Sequence, residues 1–203
     1  MRLLIVGAGG HAKVVVDAAR AAGYEIAAVV GQPGDRSEVL GSPVVLEEAA
    51  PTADGFIVAI GDNATRKAYF ERYLERGLAP LSVIHPSAII GAEVTIGAGT
   101  LVAAGVIISA TARVGDDVIL NTGCIVEHDV VVGSHTLIGP RASLCGEASV
   151  GEGVLLGAGA SIIPATSVGA WSMVGAGAAV TRDLPARTVC AGVPARVIRT
   201  LEG

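Results

Sequence analysis

From Ile84 onward the chain repeats a six-residue pattern of large aliphatic and small residues. Stepping by six gives Ile84, Ile90, Ile96, Val102, Ile108, Val114, Leu120, Val126, Val132, Ile138, Leu144, Val150, Leu156, Ile162, Val168, Val174 and Val180, seventeen aliphatic positions without a gap. The fifth place of each hexad is Ala, Val, Thr, Cys or Ser, closing on Leu184. The second place is most often glycine, as at Gly91, Gly97, Gly115 and Gly133. This period predicts a parallel β-helix, because successive short strands stacked on one another bury a continuous aliphatic ladder. Each hexad supplies one strand and one corner, with the large aliphatic and the small fifth residue inside and the second-place glycine expected to carry the corner dihedrals. Three hexads per triangular coil give about 5.7 coils, a prism roughly 27 Å tall at strand spacing.

Before the repeat the period changes. Residues 2–7 read as a buried strand, about Ala12 to Ala22 as a helix, Glu25–Val30 and Gly55–Ile60 as strands, and about Ala64–Arg76 as a helix charged on one face. Strand and helix alternating on this scale predict a small parallel α/β sheet. The expected organisation is therefore a Rossmann-like α/β domain over residues 1–80, a β-helix over 81–185 and a tail over 186–203.

Two glycine turns fall at the same edge of that sheet. Gly7-Ala8-Gly9-Gly10-His11-Ala12 matches G-x-G-x-x-[GA] between strand and helix, where backbone amides approach a phosphate. Ile60-Gly61-Asp62-Asn63 ends the third predicted strand in the same way. A dinucleotide site wants an acid at the end of the second strand to bind ribose. Gly31 and Gln32 stand there, with Asp35 several residues later, so the turn reads as a cradle for the phosphates of a nucleotide-linked substrate rather than NAD.

Composition narrows the class. With 51% hydrophobic residues but only 3% aromatics, the core must be built from thin aliphatic layers, and disorder is excluded. A net charge of −5 without a basic run argues against nucleic acid and anionic membrane as partners. Mean hydropathy is +0.62, and residues 94–112 and 153–181 contain no charged residue, but a membrane span has no reason to keep a six-residue period. Three scattered cysteines, Cys124, Cys145 and Cys190, fit a reducing, cytoplasmic compartment better than a disulfide framework.

The four histidines are His11, His85, His128 and His135. His85 opens the first hexad and reads as a coil cap. His135 occupies a fourth place, expected to be an exposed corner. His11 follows the glycine turn. His128 occupies a third place and points outward between Glu127 and Asp129, the arrangement in which a carboxylate fixes the tautomer and raises the basicity of the far ring nitrogen. A base of that kind suits acyl transfer, because the acceptor loses a proton as it attacks a thioester. Cys124, at an inward fifth place, reads as packing.

The GAGGHAKVV start, the AIGDNATR turn, IHPSA at the head of the hexads, the VEHDVVVG segment and the closing AGVPARVI resemble one subfamily along the whole chain. It is that of the hexapeptide-repeat bacterial sugar O- and N-acetyltransferases of sialic acid and UDP-bacillosamine synthesis. The resemblance implies a left-handed β-helix and a homotrimer with active sites between prisms. Weakly charged faces such as the one near Val102–Ile108 are consistent with that assembly. It also implies acetyl-CoA as donor without a metal, a nucleotide-linked amino sugar as acceptor, and transfer to its amino group.

In these relatives the residue matching His128 is the general base, the acid matching Asp129 raises its basicity and the asparagine matching Asn121 supports it. A backbone amide near Gly146 is expected to hold the thioester oxyanion. Gly9, Gly10, His11, Gly31, Gln32 and Gly61 are the implied substrate-binding residues, and Leu137, Gly146, Ala158 and Ala176 the implied acetyl-CoA contacts, with Arg196 or Arg199 near CoA phosphates. Many relatives have a donor-binding histidine nine residues after the base, where this chain has Leu137. The alternatives are O-acetylation of sialic acid, a three-histidine zinc site of the carbonic-anhydrase type built from His85, His128 and His135, and a non-catalytic nucleotide-sugar-binding protein.

Overall fold

A computed structural model describes residues 1–202. The first unit is built from β1 (Arg2–Val6), α1 (Gly10–Ala21), β2 (Glu25–Val30), β3 (Glu38–Val39), β4 (Ser42–Val45), β5 (Gly55–Val58) and α2 (Asn63–Glu75). Its sheet has the order β3-β4-β2-β1-β5, with β4-β2-β1-β5 parallel and β3 antiparallel to β4. The sequence pattern showed three of these five strands. The β3–β4 hairpin escaped it because its strands are too short to alternate; Leu40 and Gly41 close the turn at φ 48° and 74°, the left-handed pair of a two-residue hairpin loop. Both helices also start earlier than their apolar faces suggest, at Gly10 and Asn63.

The hexads form β6 (Val83–Ile84) through β22 (Ala179–Val180), each two residues long. Each pairs in parallel with the strand eighteen residues away, as in Ile107↔Ile125↔Ser143, so three hexads make one coil. Face 1 runs up from β6, face 2 from β7 (Ile89–Ile90) and face 3 from β8 (Thr95–Ile96). The first-place aliphatics from Val102 to Val180 and the fifth-place residues from Thr100 to Leu184 are buried inside the prism. The segment after residue 185 is more than a tail: β23 (Thr188–Ala191) adds a parallel rung to face 1, and β24 (Arg196–Thr200) returns antiparallel to it.

The corners correct one expectation. Left-handed φ falls at the fourth place, at Glu93, Gly99, Gly105, Thr111, Asp117, Gly123, Asp129 and His135 among others, and not at the second. The second-place glycines answer to a different constraint. A Cβ on Gly133 would lie 2.6 Å from Glu152 N and Gly151 C, and one on Gly151 2.7 Å from Ala170 N. The backbone of the next coil occupies the space that a side chain would need.

The two units share a seam. The α1 residues Ala12, Val15, Val16 and Ala19 belong to one buried cluster with Leu101, Ile119 and the prism interior, so face 1 is the floor on which α1 lies. The α2 helix packs along the corner between faces 3 and 1. There Arg66, fully buried, donates from Nε to the Asp117 carbonyl at 3.1 Å and lies 3.3 Å from its carboxylate. His135 completes the cluster, with Nδ1 2.8 Å from the same carboxylate and its ring edge-on to Phe70. His135 is thus buried, not exposed; its corner is covered by α2, which the hexad register could not foresee. Burial works against both charges, raising the Asp117 pKa and lowering that of Arg66, and their mutual contacts offset it only in part. Asn63 Nδ2 donates to the Gly153 and Val154 carbonyls, both at 3.0 Å, and ties the start of α2 to the coil above.

Two glycine variants separate the two corner constraints. Gly133→Ala is expected to cost roughly 1–3 kcal/mol by overpacking. Gly159→Asn is expected to lower the melting temperature little, because Gly159 has φ 65° and open space around it and asparagine tolerates that conformation. Equal losses in thermal melts would refute the distinction.

Candidate active site

His128 lies on the corner between faces 2 and 3, after β13 (Ile125–Val126). Its side chain is exposed, and its Nδ1 is 2.9 Å from Asp129 Oδ2. The left-handed φ of 59° at Asp129 turns the carboxylate back alongside the ring of the preceding residue. Thr111, one coil below, places Oγ1 2.9 Å from Asp129 Oδ1. The imidazole is held above its ordinary pKa of 6.5, first by the Asp129 hydrogen bond and then by the charges of Asp129, Glu127 and Glu147. Asp129 is correspondingly held below the usual carboxylate value by its bonds to His128 and Thr111. With Nδ1 on the carboxylate, Nε2 is left free to take a proton from an acceptor.

Gly146 is on the same corner, one coil above. A Cβ there would lie 2.6 Å from both Cε1 and Nε2 of His128, so only glycine leaves the ring in place. Among the described residues its N–H donates to no backbone acceptor. The free nitrogen of His128 and an amide without a backbone acceptor therefore lie close together on this corner.

The other expected residues are elsewhere in the chain. Asn121 is on the corner between faces 1 and 2, a full side of the prism or roughly 20 Å from His128. Its side-chain oxygen accepts from Thr122 N at 2.8 Å. A single copy of the chain thus does not bring Asn121 to the base. Ala158 and Ala176 repeat up that same corner, and Leu137 lies on face 1 in β15 (Leu137–Ile138), partly buried against the core. His85 is also on the corner between faces 1 and 2, bound at Nδ1 by Ser87. With His85, His128 and His135 on three different corners, no three-histidine metal site is assembled in one chain. Arg196 and Arg199 lie on the exposed β24.

A cleft of about 260 Å³ opens at the carboxyl edge of the sheet, lined by Gly7, Gly9, Gly31, Gln32, Asp35 and Tyr69 among others. The α1 helix begins here with Gly9 at its N-cap, no side-chain cap and no acid in the first turn, so its leading N–H groups are available to an anion. Gly10 opens the helix, and Gly61 lies in the neighbouring turn, where Asp62 caps α2 through Thr65 N at 2.9 Å. His11 does not line the cleft. It is half-buried, its buried Nε2 lacks a partner, and burial together with the Arg66 charge lowers its pKa to about 4. The sequence set Asp35 aside as several residues too late, yet its carboxylate folds back into the cleft to accept from Gln32 N at 2.7 Å. The Pro33-Gly34 pair before it was the available signal.

A parallel β-helix with a carboxylate-backed histidine on an outer corner, joined to an α/β unit with an uncapped helix start, defines an acyltransferase of the hexapeptide-repeat class. Residues 2–73 match the family model described as the PglD N-terminal domain. The chain is 41% identical to PerB from Caulobacter crescentus, solved with CoA and GDP-perosamine, with a TM-score of 0.93 and 98% of each chain covered. Variants of that N-acetyltransferase with a histidine replaced by asparagine or alanine have also been solved with the same ligands. The acetyltransferase domain of PglB from Neisseria gonorrhoeae is 32% identical, with a TM-score of 0.91 and 97% and 99% coverage. UDP-N-acetylbacillosamine N-acetyltransferase of Bacillus subtilis is 41% identical over 111 residues, about half of each protein (49% of this chain and 50% of that enzyme). The chain belongs to the hexapeptide-repeat sugar acetyltransferases.

The raised imidazole pKa fixes the expected pH dependence. A neutral base loses activity as pH falls through its pKa, so the acid limb of the rate profile is expected above 6.5. Asp129→Asn is expected to move that limb to lower pH while reducing the maximal rate. A limb that does not move would remove Asp129 as the group that sets His128 basicity.

Proposed function

We propose that this protein is an acetyl-CoA-dependent N-acetyltransferase that acetylates the amino group of a nucleotide-linked amino sugar, with His128 as general base. The observation that carries this reading is the exposed His128–Asp129 pair with its ring packed against Gly146. As the amine attacks the thioester carbonyl, Nε2 accepts its proton and the Asp129 carboxylate stabilises the imidazolium. The Gly146 N–H donates to the oxygen that gains charge. Collapse expels the CoA thiolate, which recovers a proton. No side chain of the chain need be acylated, in keeping with Cys124, buried inside the prism with its thiol pushed up to about 12.

The split of site residues between two corners supports a trimer. His128 and Gly146 lie at one edge of face 2, and Asn121, Ala158 and Ala176 at the other. The outward residues of face 2 are Ile89, Ile107, Ile125, Ser143, Ser161 and Ala179, with no charge among them. Burying this face around a three-fold axis sets one edge of each copy against the opposite edge of the next. Asn121 of one copy then approaches His128 of its neighbour, and acetyl-CoA runs between the prisms. The nucleotide sugar held in the cleft reaches the same junction over face 1, past Leu137. The absence of any helix long and apolar enough to cross a membrane among the described residues and the free thiols accord with a cytoplasmic enzyme acting on activated sugars.

Thiol release from acetyl-CoA with GDP- and UDP-linked 4-amino sugars, beside free sialic acid, tests this reading. Turnover with an amino sugar is expected, falling roughly 10²- to 10⁴-fold in His128→Ala. Gly146→Ala should keep its melting temperature, because the exposed ring can swing away, yet lose most of its activity. Turnover confined to sialic acid would transfer the assignment to O-acetylation. An undiminished His128→Ala variant would remove the base.

A further inference from the structure

We propose that Asp35 is the residue that holds the ribose of the nucleotide, replacing an acid that the end of β2 lacks. The inference rests on the reading of the cleft as a nucleotide-sugar site. In sheets of this kind a carboxylate at the end of the second strand accepts hydrogen bonds from ribose hydroxyls. Position 31 has no side chain, and one there would have to displace its neighbours. A Cβ on Gly31 would lie 2.6 Å from Val44 Cγ1 and 3.2 Å from Ala8 Cβ, inside the packing of β4 against the glycine turn. That same Cβ position is 2.9 Å from Asp35 Oδ2. The carboxylate thus occupies the mouth of the cleft directly over the end of β2.

The chain delivers it there by a tight turn. Asp35 N donates to Gln32 O at 3.0 Å, and Gly34 takes φ 92° after Pro33. Proline followed by a glycine of positive φ is the signature of a type II turn, so Gln32-Pro33-Gly34-Asp35 is a fixed unit. The turn returns Oδ2 to Gln32 N at 2.7 Å. One carboxylate oxygen is thereby pinned, and Oδ1 accepts no hydrogen bond among the described residues. Asp35 has no ion pair among them either, and it shares the cleft with Gly9 at the α1 N-terminus and with Tyr69. Phosphate on the helix amides and ribose on Asp35 would lie at neighbouring points of one groove.

Calorimetric binding of GDP and UDP, each beside its 2′-deoxy and 3′-deoxy counterparts, tests this in the native protein, Asp35→Asn and Asp35→Ala. A hydrogen bond to a charged acceptor is worth roughly tenfold or more in affinity. The native protein is therefore expected to prefer a ribonucleotide to at least one of its deoxy forms by about that factor. Both variants should lose that preference by weakening the ribonucleotide alone. Asp35→Asn, which can still accept from Gln32 N, should keep the native melting temperature and the native KM for acetyl-CoA. Native protein that does not discriminate overturns the inference, as does a variant weakened equally for ribose and deoxyribose, which would make Asp35 a support of the turn only. Failure of the native protein to bind either nucleotide would instead remove the nucleotide reading of the cleft, and the role of Asp35 with it.

Discussion

The structure depends on how closely one coil of the prism lies on the next. Parallel strands of two residues have little side-chain surface with which to hold one another, and their backbone bonds must close every eighteen residues. That closure leaves no room for a side chain at many second places, where the next coil's backbone is within 2.6–2.8 Å of an added Cβ, as at Gly133, Gly139 and Gly151, although Asn121, Glu127 and Cys145 stand at others. It also requires a left-handed residue at the fourth place, even where that residue is Asp129 or His135. The conformational cost of a non-glycine residue there, about 1–2 kcal/mol, is offset by the coil stacking. The corner that presents His128 is thus an ordinary corner of the prism. Its carboxylate is in hydrogen-bonding range because the corner conformation turns Asp129 back on its predecessor.

A second constraint joins the units. A small sheet with one helix lying on face 1 could slide over that smooth aliphatic floor. Arg66, Asp117 and His135 make the contact directional: a buried charge is tolerated only where its partners are fixed. Arg66 also bonds Asn63 Oδ1 at 2.8 Å and the Ile60 carbonyl at 3.3 Å, so the glycine turn beside the cleft is held through the same guanidinium. The position of the cleft relative to the coils is set by this cluster. Two of the four histidines, His11 and His135, belong to this seam and are far less exposed than His128.

The repeat, the α/β unit, the outward aim of His128 and its acidic neighbour were all legible from residue order, because each depends on contacts within one coil or one strand–helix turn. The six-residue period fixes which side chains point in, and adjacency in sequence places Asp129 beside His128. Gly146, eighteen residues on, was reachable through the same period. Only the tertiary structure decided the rest. The burial of His135 depends on α2 reaching a corner more than sixty residues away. The separation of Asn121 from His128 follows from the prism having three sides. The return of Asp35 is by contrast a local turn, but the crowding at Gly31 depends on Val44 of β4, a strand whose Ser-Pro-Val-Val sequence shows no alternation. Periodicity records local geometry, whereas these features come from close approach between distant segments, which no spacing along the chain encodes.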